Sequence, residues 1–580
     1  MNPLISILIT HGRSLASHLA EAKHKSKLGR MHENSDVHKN VEIEITKMLN
    51  EFDTTIFIDD VDARTMNKVL QKVEETLQKF TQLDDKKAST YVKLQNQVET
   101  LRRNKFVVGN YSAQHLLSKS SPQQASSFCS LLDDSDFEEA YENISPKELD
   151  CLLCVIKMLS SMTKEVKKKD LVNWLIGMEM IEDPLEGEQV LGKLVDEGFI
   201  DRVIENKTIH NRFKMHQTVL DKLERKMNTV RFRHKLLESN LAISIIDDRR
   251  EETNVEKIIG LLNINRVTLN SKTFESISKM KNVKLLSLGS SGSPYIGDRL
   301  IEVERVINLR STLRNLSKVK CLSLEGISRI VILPNTIFKL KNLKVLDLKA
   351  CHDLTIIPRG IRSLSSLTYL DLTMCYMLDH TPFEVSELRN LVVLKGFVIN
   401  DNDTYIRYDV PCVLHHLTEF RYLTKLSIRT RRVDFPNQED FEALRIMDEL
   451  INLKITWIGK SDESSKKIKY LDNVFPKKLK KIGFEAAPAT IASQLLELIS
   501  KQIGMEKVYI KGGRLWDFGP SRAIKFDHVK FLRLRYLHNL HINWSDFQST
   551  FLNLERLEIF ECRNLIFFPC DQNGVWECLE

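Results

Sequence analysis

The sequence predicts an α/β fold in which short parallel strands stack as a repeat solenoid, preceded by helical segments. Three observations predict it: an aliphatic motif that returns at a constant step, a proline-containing connection that returns with it, and helical spacing of apolar residues earlier in the chain. The 580 residues are 42% hydrophobic and 28% charged. This composition is typical of folded globular protein, and the length suffices for about three domains.

The aliphatic motif begins at positions 319, 343, 367 and 391, a constant step of 24 residues. Its pattern, Leu-x-x-Leu-x-Leu, and its period are those of the leucine-rich repeat. One such strand cannot bury its own leucines, so successive repeats must stack into a parallel sheet. Less regular strands extend the pattern from Val283 to Ile559, and a solenoid of this kind predicts binding of another protein rather than catalysis.

The connections between strands repeat as well. Pro334, Pro358 and Pro382 are each followed by apolar residues at three-residue spacing. Proline is tolerated where no backbone N–H is needed, and this spacing predicts a helical or 3₁₀ turn on the convex side.

The ten cysteines are scattered along the chain. Cys351, Cys375 and Cys562 occupy the position of the repeat that takes Asn or Cys, which predicts structural thiols. The sequence has neither a secretory signal nor an apolar run of the roughly 18 residues that a membrane helix needs. We therefore expect a reducing, cytoplasmic location without an integral membrane segment.

Two amphipathic stretches lie in the first 117 residues, one from Met66 to Phe80 and one from Tyr91 to Leu101. Their three- and four-residue spacing predicts helices that pair as a hairpin or with another chain. We assign 1–117 to a helical, coiled-coil-like region, which is the α-helical amino-terminal arm, and the Ser- and Gln-rich 118–136 to a linker.

Residues 137–225 combine three helical patterns with a short β-prone ending. Three helices and a hairpin of this size predict a winged-helix domain, and they leave 226–580 for the leucine-rich-repeat domain. The complete prediction is an α/β leucine-rich-repeat solenoid preceded by a winged-helix domain and a helical arm.

An ordered set of motifs lies within 137–225, namely Leu175 after Trp174, Gly187-Glu188 and Met215-His216. With the repeats that follow, this set resembles the plant coiled-coil NLR (nucleotide-binding leucine-rich-repeat) disease-resistance proteins. The resemblance implies pathogen recognition in plant defence, with a pathogen effector, a guarded host protein or other NLR proteins as partners. It also gives His216 a contact with ADP, although Gln217 stands where the family has Asp.

The phosphate-binding loop of that family, Gly-x-x-x-x-Gly-Lys-Ser/Thr, is not found in this sequence. The stretch Thr55–Val61 resembles the strand that ends in a magnesium-binding acidic pair, but it lacks this loop upstream. We therefore expect no cofactor, while ADP remains implied by the resemblance. The alternative function is a nucleotide-independent adaptor or regulator of complete receptors.

An enzyme is the third class considered. His415 and His416 and the scattered carboxylates show no catalytic spacing, and neither a Gly-x-Ser-x-Gly nor a zinc motif is found. The sequence therefore predicts a protein that is not an enzyme.

Residues between the inward leucines point out of the concave face, where a partner would bind. Aromatic and arginine side chains favour the later repeats, because such residues dominate interface energies. The predicted partner-binding residues are Tyr369, Asp371, Tyr509, Lys511, Phe531, Arg533, Arg535, Arg556 and Phe560.

Basic runs at 164–169 and 429–432 are also present. We interpret them as solvated faces, because the net charge of +7 is mild for this length and both signs are interspersed. The sequence therefore does not favour a nucleic-acid partner.

Overall fold

A computed structural model describes residues 134–160, 165–205, 208–227, 242–245, 257–263, 269–289, 306–399, 410–432, 434–458, 474–518, 524–565, 568–571 and 574–578. These residues all belong to one compact unit that covers Ser127–Glu580. The predicted helical arm at 1–117 and most of the predicted linker lie outside them, as does Thr55–Val61.

Residues 134–227 form what we call the helical unit. Its helices are α1 (Asp134–Asn143), α2 (Pro146–Ser160), α3 (Lys168–Gly177), α4 (Pro184–Asp196) and α5 (Gln217–Met227), and its strands are β1 (Val166–Lys167), β2 (Asp201–Glu205) and β3 (Thr208–Lys214). The strands form an antiparallel sheet in the order β1-β3-β2. The three predicted helical patterns and the hairpin are thus present as elements.

Local chemistry explains where α4 begins. The Asp183 carboxylate accepts hydrogen bonds from the backbone N–H groups of Leu185 and Glu186, at 2.7 and 3.0 Å. Pro184 holds the first helical position, where its missing N–H costs nothing. The apolar faces of α2, α3 and α4 then enclose one core that contains Trp174 and Phe199.

The remaining strands form one sheet in chain order. They are β4 (Ala242–Ile245), β5 (Ile258–Leu262), β6 (Leu285–Ser287), β7 (Cys321–Ser323), β8 (Val345–Asp347), β9 (Tyr369–Asp371), β10 (Val393–Ile399), β11 (Lys425–Thr430), β12 (Asn452–Trp457), β13 (Lys481–Glu485), β14 (Lys507–Lys511), β15 (Phe531–Arg535), β16 (Arg556–Phe560) and β17 (Val575–Glu577). All neighbours pair in parallel except β17, which is antiparallel to β16. The predicted stack of sequentially adjacent strands is confirmed across 319–394.

The convex side carries the connections. Short 3₁₀ turns follow the prolines at Ile337–Lys339, Arg359–Ser363 and Phe383–Glu387, as the spacing predicted. Longer connections form α6 (Ser271–Ser278), α7 (Val306–Leu313), α8 (Gln438–Ile446), α9 (Ala489–Lys501) and α10 (Trp544–Thr550). The inward leucines of the strands and the apolar residues of these turns make one continuous core.

The cysteines of the repeat tie one turn to the next. Cys351 and Cys375 are buried, and each thiol donates to a carbonyl of the preceding repeat, Leu324 O and Leu348 O, at 3.1 Å. Burial raises the pKa of the Cys375 thiol to about 12. Within the described ranges, the cysteines form no disulfide bonds.

Within the described ranges, every helix is too short or too polar to cross a membrane.

Candidate protein-binding surface

Each strand of the repeat sheet turns alternate residues away from the core. In register, the first such residues make a row across the sheet, which we call the first row: Leu285, Cys321, Val345, Tyr369, Val393, Lys425, Asn452, Lys481, Lys507, Phe531 and Arg556. The outward residues of β6–β10 form the early face, and those of β12–β16 form the late face.

The helical unit lies on the early face. The apolar first-row residues from Leu285 to Val393 share a core with Leu171 and Leu175 of α3. Contact is close at Gly177, where an added Cβ would lie 2.7 Å from the Cβ of Cys321. A hydrophobic domain contact therefore occupies this half of the concave side.

A buried charge cluster borders that contact. The Lys169 ammonium at the start of α3 lies 2.8 Å from Glu325 Oε2 and 2.9 Å from Asp347 Oδ2. Burial alone would raise the pKa of Glu325, but Lys169, Lys349 and Lys167 lower it to about 2. For Asp170 burial prevails, and its pKa rises to about 6.

The carboxylates of Asp170, Glu325 and Asp347 lie within 4.8 Å of one another, which is a spacing that could hold a metal ion. Lys169 already places a positive charge among them. The cluster therefore acts as an ionic link between the helical unit and β7 and β8.

A second set of ion pairs repeats with the strands. The loop after α3 sets Glu179 against Lys284 and Lys320, and Glu182 against Lys344. Hydrogen bonds from Lys284 and Lys320 lower the pKa of Glu179 to about 2. These lysines precede β6, β7 and β8 in equivalent positions, so one loop of the helical unit follows the repeat step.

Tyr369 and Asp371 were expected to be open to a partner, and the structure corrects this. Their exposed fractions are 3% and 1%, because the helical unit covers β9. The Tyr369 hydroxyl donates to Asp371 at 2.9 Å, and Lys395 lies 3.5 Å from the same carboxylate. Both predicted residues therefore belong to the domain contact in this structure.

The basic runs are largely paired rather than solvated. Lys167 and Lys168 approach Glu325 and Glu188 at 3.7 and 3.5 Å. Arg429 is buried and donates to Leu378 O at 2.6 Å, and Arg431 pairs with Asp379. These charges therefore serve contacts within the chain.

The structure brings the predicted late residues together. Tyr509 and Phe531 stack with ring centroids 5.3 Å apart, and the Arg533 guanidinium lies 5.0 Å from the Tyr509 ring. The Lys481 ammonium lies 4.2 Å from the same ring. Gly483 is the register partner of Tyr509 and has no side chain, which leaves room for this approach.

A second part of the late face surrounds Phe560, which is 48% exposed. Tyr536 meets its ring edge-on at 5.4 Å, and the Arg535 guanidinium lies 5.8 Å from it. Cation–π contacts of this kind hold long side chains in place at a surface.

Ion pairs with carboxylates hold the remaining predicted side chains in position. Lys511 pairs with Glu485 at 3.1 Å, and Glu558 accepts from both Arg533 and Arg556. Arg556 also pairs with Glu577 of β17. The late face is thus a preorganised patch of rings and guanidinium groups, the composition that favours binding hot spots.

His216 is exposed at the start of α5. Its Nδ1 accepts the backbone N–H of Thr218 at 3.2 Å, so the side chain caps the helix. Met215 packs against the core of the helical unit. The structure gives His216 a capping contact, while the ADP contact remains a prediction.

Sequence reasoning missed the first row of the early face. Leu285, Cys321, Val345 and Val393 stand where an exposed strand would carry polar residues. An apolar residue at the same outward position of successive repeats was the available signal, and it indicates a covered face. It also missed Lys481 and Lys507, which enter the late face only through the register of β13 and β14.

The comparison with known protein families agrees with the repeat sheet. Residues 264–510 match the family model described as leucine-rich repeat region. The matched segment lies within the stacked parallel strands, so these residues form a leucine-rich-repeat region. The comparison with curated proteins finds no match.

Several solved structures are similar. The plant peptide hormone receptor RGFR1 in complex with RGF2 is 16% identical, with 55% of this chain and 44% of that chain covered and a TM-score of 0.26. The Arabidopsis receptor kinase HAESA, in complex with the peptide hormone IDA and the co-receptor SERK1, is 14% identical, with 52% and 55% covered and a TM-score of 0.25. The TLR13–ssRNA13 complex is 15% identical, with 55% and 42% covered and a TM-score of 0.32. The chain spans about half the length of these proteins.

Proposed function

We propose that this protein is a plant intracellular immune-receptor-like protein, whose late face binds a pathogen effector or a guarded host protein. The observation that carries the proposal is the division of the concave side. The helical unit occupies the early face through Lys169 and Gly177, while the late face gathers aromatic and arginine side chains.

The order of elements in the helical unit supports the receptor-like interpretation. Helix α2, strand β1, helices α3 and α4 and the hairpin β2–β3 follow one another as in a winged-helix domain. Trp174, Gly187-Glu188 and Met215-His216, which carry the resemblance to plant NLR proteins, all lie within these elements or at their ends. We propose a cytoplasmic location and a binding function rather than catalysis.

Proximity labelling in infected and uninfected plant tissue tests the proposal. The full chain and its Arg533→Ala variant are compared, with Lys339→Ala as the control because Lys339 is exposed on a convex turn. We expect a pathogen or host protein that the parent and the control label and that Arg533→Ala loses. Purified candidates then give a direct dissociation constant. Equal labelling by all three chains would overturn the proposed surface.

The second candidate function is a nucleotide-independent adaptor or regulator that pairs with complete receptors. His216 favours it, because its imidazole already caps α5. The test is the nucleotide content of the purified full chain after acid extraction. Bound ADP that is lost in His216→Ala would favour the nucleotide-dependent receptor, and a chain without ADP would favour the adaptor.

A further inference from the structure

Two neighbouring lysines stand out on the late face. Lys481 and Lys507 are register partners in the first row of β13 and β14. Neither has a carboxylate within ion-pair distance among the described residues, whereas Lys454, Lys511, Arg533 and Arg556 all have one. The face therefore carries positive charge that its own carboxylates, Glu485 and Glu558, do not balance.

The surroundings of Lys481 destabilise its charged form. Its side chain is half-buried, and burial, Arg533, Lys507 and Lys425 together lower its pKa to about 8, with only Glu188 opposing them. A buried or half-buried cation is stabilised when a carboxylate approaches. The Tyr509 ring, 4.2 Å away, supplies part of this stabilisation at present.

We propose, building on the proposed function, that the late face binds an acidic segment of the partner protein. A Glu or Asp side chain of that segment pairs with Lys481 and Lys507, and its neighbours pack on the stacked Tyr509 and Phe531 rings. The partner thereby supplies the negative charge that this row lacks, and the aromatic pair supplies apolar contact area.

A protein segment fits this surface better than a nucleic acid. Glu558 lies in the second outward row, on β16, and Glu485 lies in the third, on β13. A chain of phosphates that extends from the lysine pair into these rows would meet their fixed carboxylates, and like charges repel. A single carboxylate side chain can reach Lys481 and Lys507 without approaching Glu485 or Glu558.

Fluorescence anisotropy with defined probes tests the proposal on the full chain. The probes are labelled decapeptides of alternating Glu and Ala, Gln and Ala, or Lys and Ala, and a single-stranded RNA of ten uridines. We expect the Glu peptide to bind at least about tenfold more tightly than the Gln peptide, with an affinity that falls as salt rises. The double variant Lys481→Met/Lys507→Met loses this preference, and Lys339→Met keeps it.

The pH dependence gives a second readout. Lys481 loses its charge above about pH 8, so the Glu peptide should bind more weakly at pH 9 than at pH 7. The groups that face Lys481 are Arg533, Lys507, Lys425, Glu188 and Tyr509. In Lys481→Met the difference between the two pH values should become small.

The outcomes separate this inference from the proposed function. Equal binding of the Glu and Gln peptides, or tighter binding of the RNA, overturns the acidic-segment proposal. A partner whose labelling depends on Arg533 would still support the proposed function in that case. Should Arg533→Ala label the same proteins as the parent, the proposed function fails whatever the peptides do.

Discussion

The early and late faces share one backbone and one register but have opposite surroundings. In the first row, β6–β10 carry apolar residues that share a core with the helical unit, while β13–β16 carry lysine, phenylalanine and arginine. Neighbouring strands pair in parallel in both halves. The outward side chains alone therefore decide which half becomes a domain contact and which becomes a candidate partner surface.

The sharpest test of this difference removes the ionic link of the early face. Lys169→Met leaves Asp347 buried without its paired cation, while Glu325 keeps Lys349, and we expect a loss of about 3 kcal/mol in the free energy of unfolding. Lys507→Met, on the late face, should change it by less than about 0.5 kcal/mol. Urea unfolding of both variants measures the contrast, which equal losses would contradict.

A glycine pair tests the closeness of the domain contact. Gly177→Ala forces a Cβ to within 2.7 Å of the Cys321 Cβ, and we expect a loss of about 2 kcal/mol from overpacking. Gly192 is the control, because a Cβ there meets nothing within 4 Å. Gly192→Ala in α4 should raise stability by about 0.5–1 kcal/mol. A neutral Gly177→Ala would show that the two units do not pack this closely in solution.

The pH response of stability separates two carboxyl groups of the buried charge cluster. Asp170 has a pKa of about 6 in the folded protein, above the unfolded value of about 4. It therefore binds its proton more tightly when folded, and its contribution to stability increases as the pH falls from 7 to 5. Glu325 has a folded pKa of about 2, so its contribution is lost only below about pH 4.

We expect Asp170→Asn to remove the increase between pH 7 and pH 5, with an effect on the order of 1 kcal/mol. Denaturant unfolding at several pH values measures this effect. A parent chain and an Asp170→Asn variant with parallel curves from pH 7 to pH 5 would contradict the assignment.

The smallest expected change in stability belongs to the late face. In Arg533→Ala, Glu558 keeps its pairing with Arg556, so we expect a stability loss below about 1 kcal/mol. Partner binding, in contrast, should be lost. Thermal unfolding combined with the labelling experiment measures both quantities, and a variant that unfolds readily would place Arg533 among residues needed for folding.

The repeat sheet could be predicted from the sequence because its signal is periodic. The step of 24 from position 319 to position 391 places the leucines inward in every strand. Strands β4 and β5 were not predicted, since Ala242–Ile245 and Ile258–Leu262 precede the regular motif. The pairing of β4 with β5 and of β5 with β6 is a tertiary property that local pattern does not carry.

The candidate site could be predicted only in part. Tyr509, Phe531 and Arg533 followed from the alternation of the strands, and the structure places them together. Tyr369 obeyed the same alternation but is covered, because the contact depends on α3, which lies far away in sequence. The loss of accessibility at a given strand cannot be seen from that strand alone.

The helical unit also has a mechanical consequence. In a solenoid each repeat contacts only its neighbours, but here one loop of the helical unit forms ion pairs with Lys284, Lys320 and Lys344, which precede three consecutive strands. The helical unit thereby restricts changes in the curvature of the first half of the repeat sheet. The ion pair of Glu188 with Lys425 on β11 is the last of these contacts along the sheet. We therefore expect bending of the second half to break this pair first.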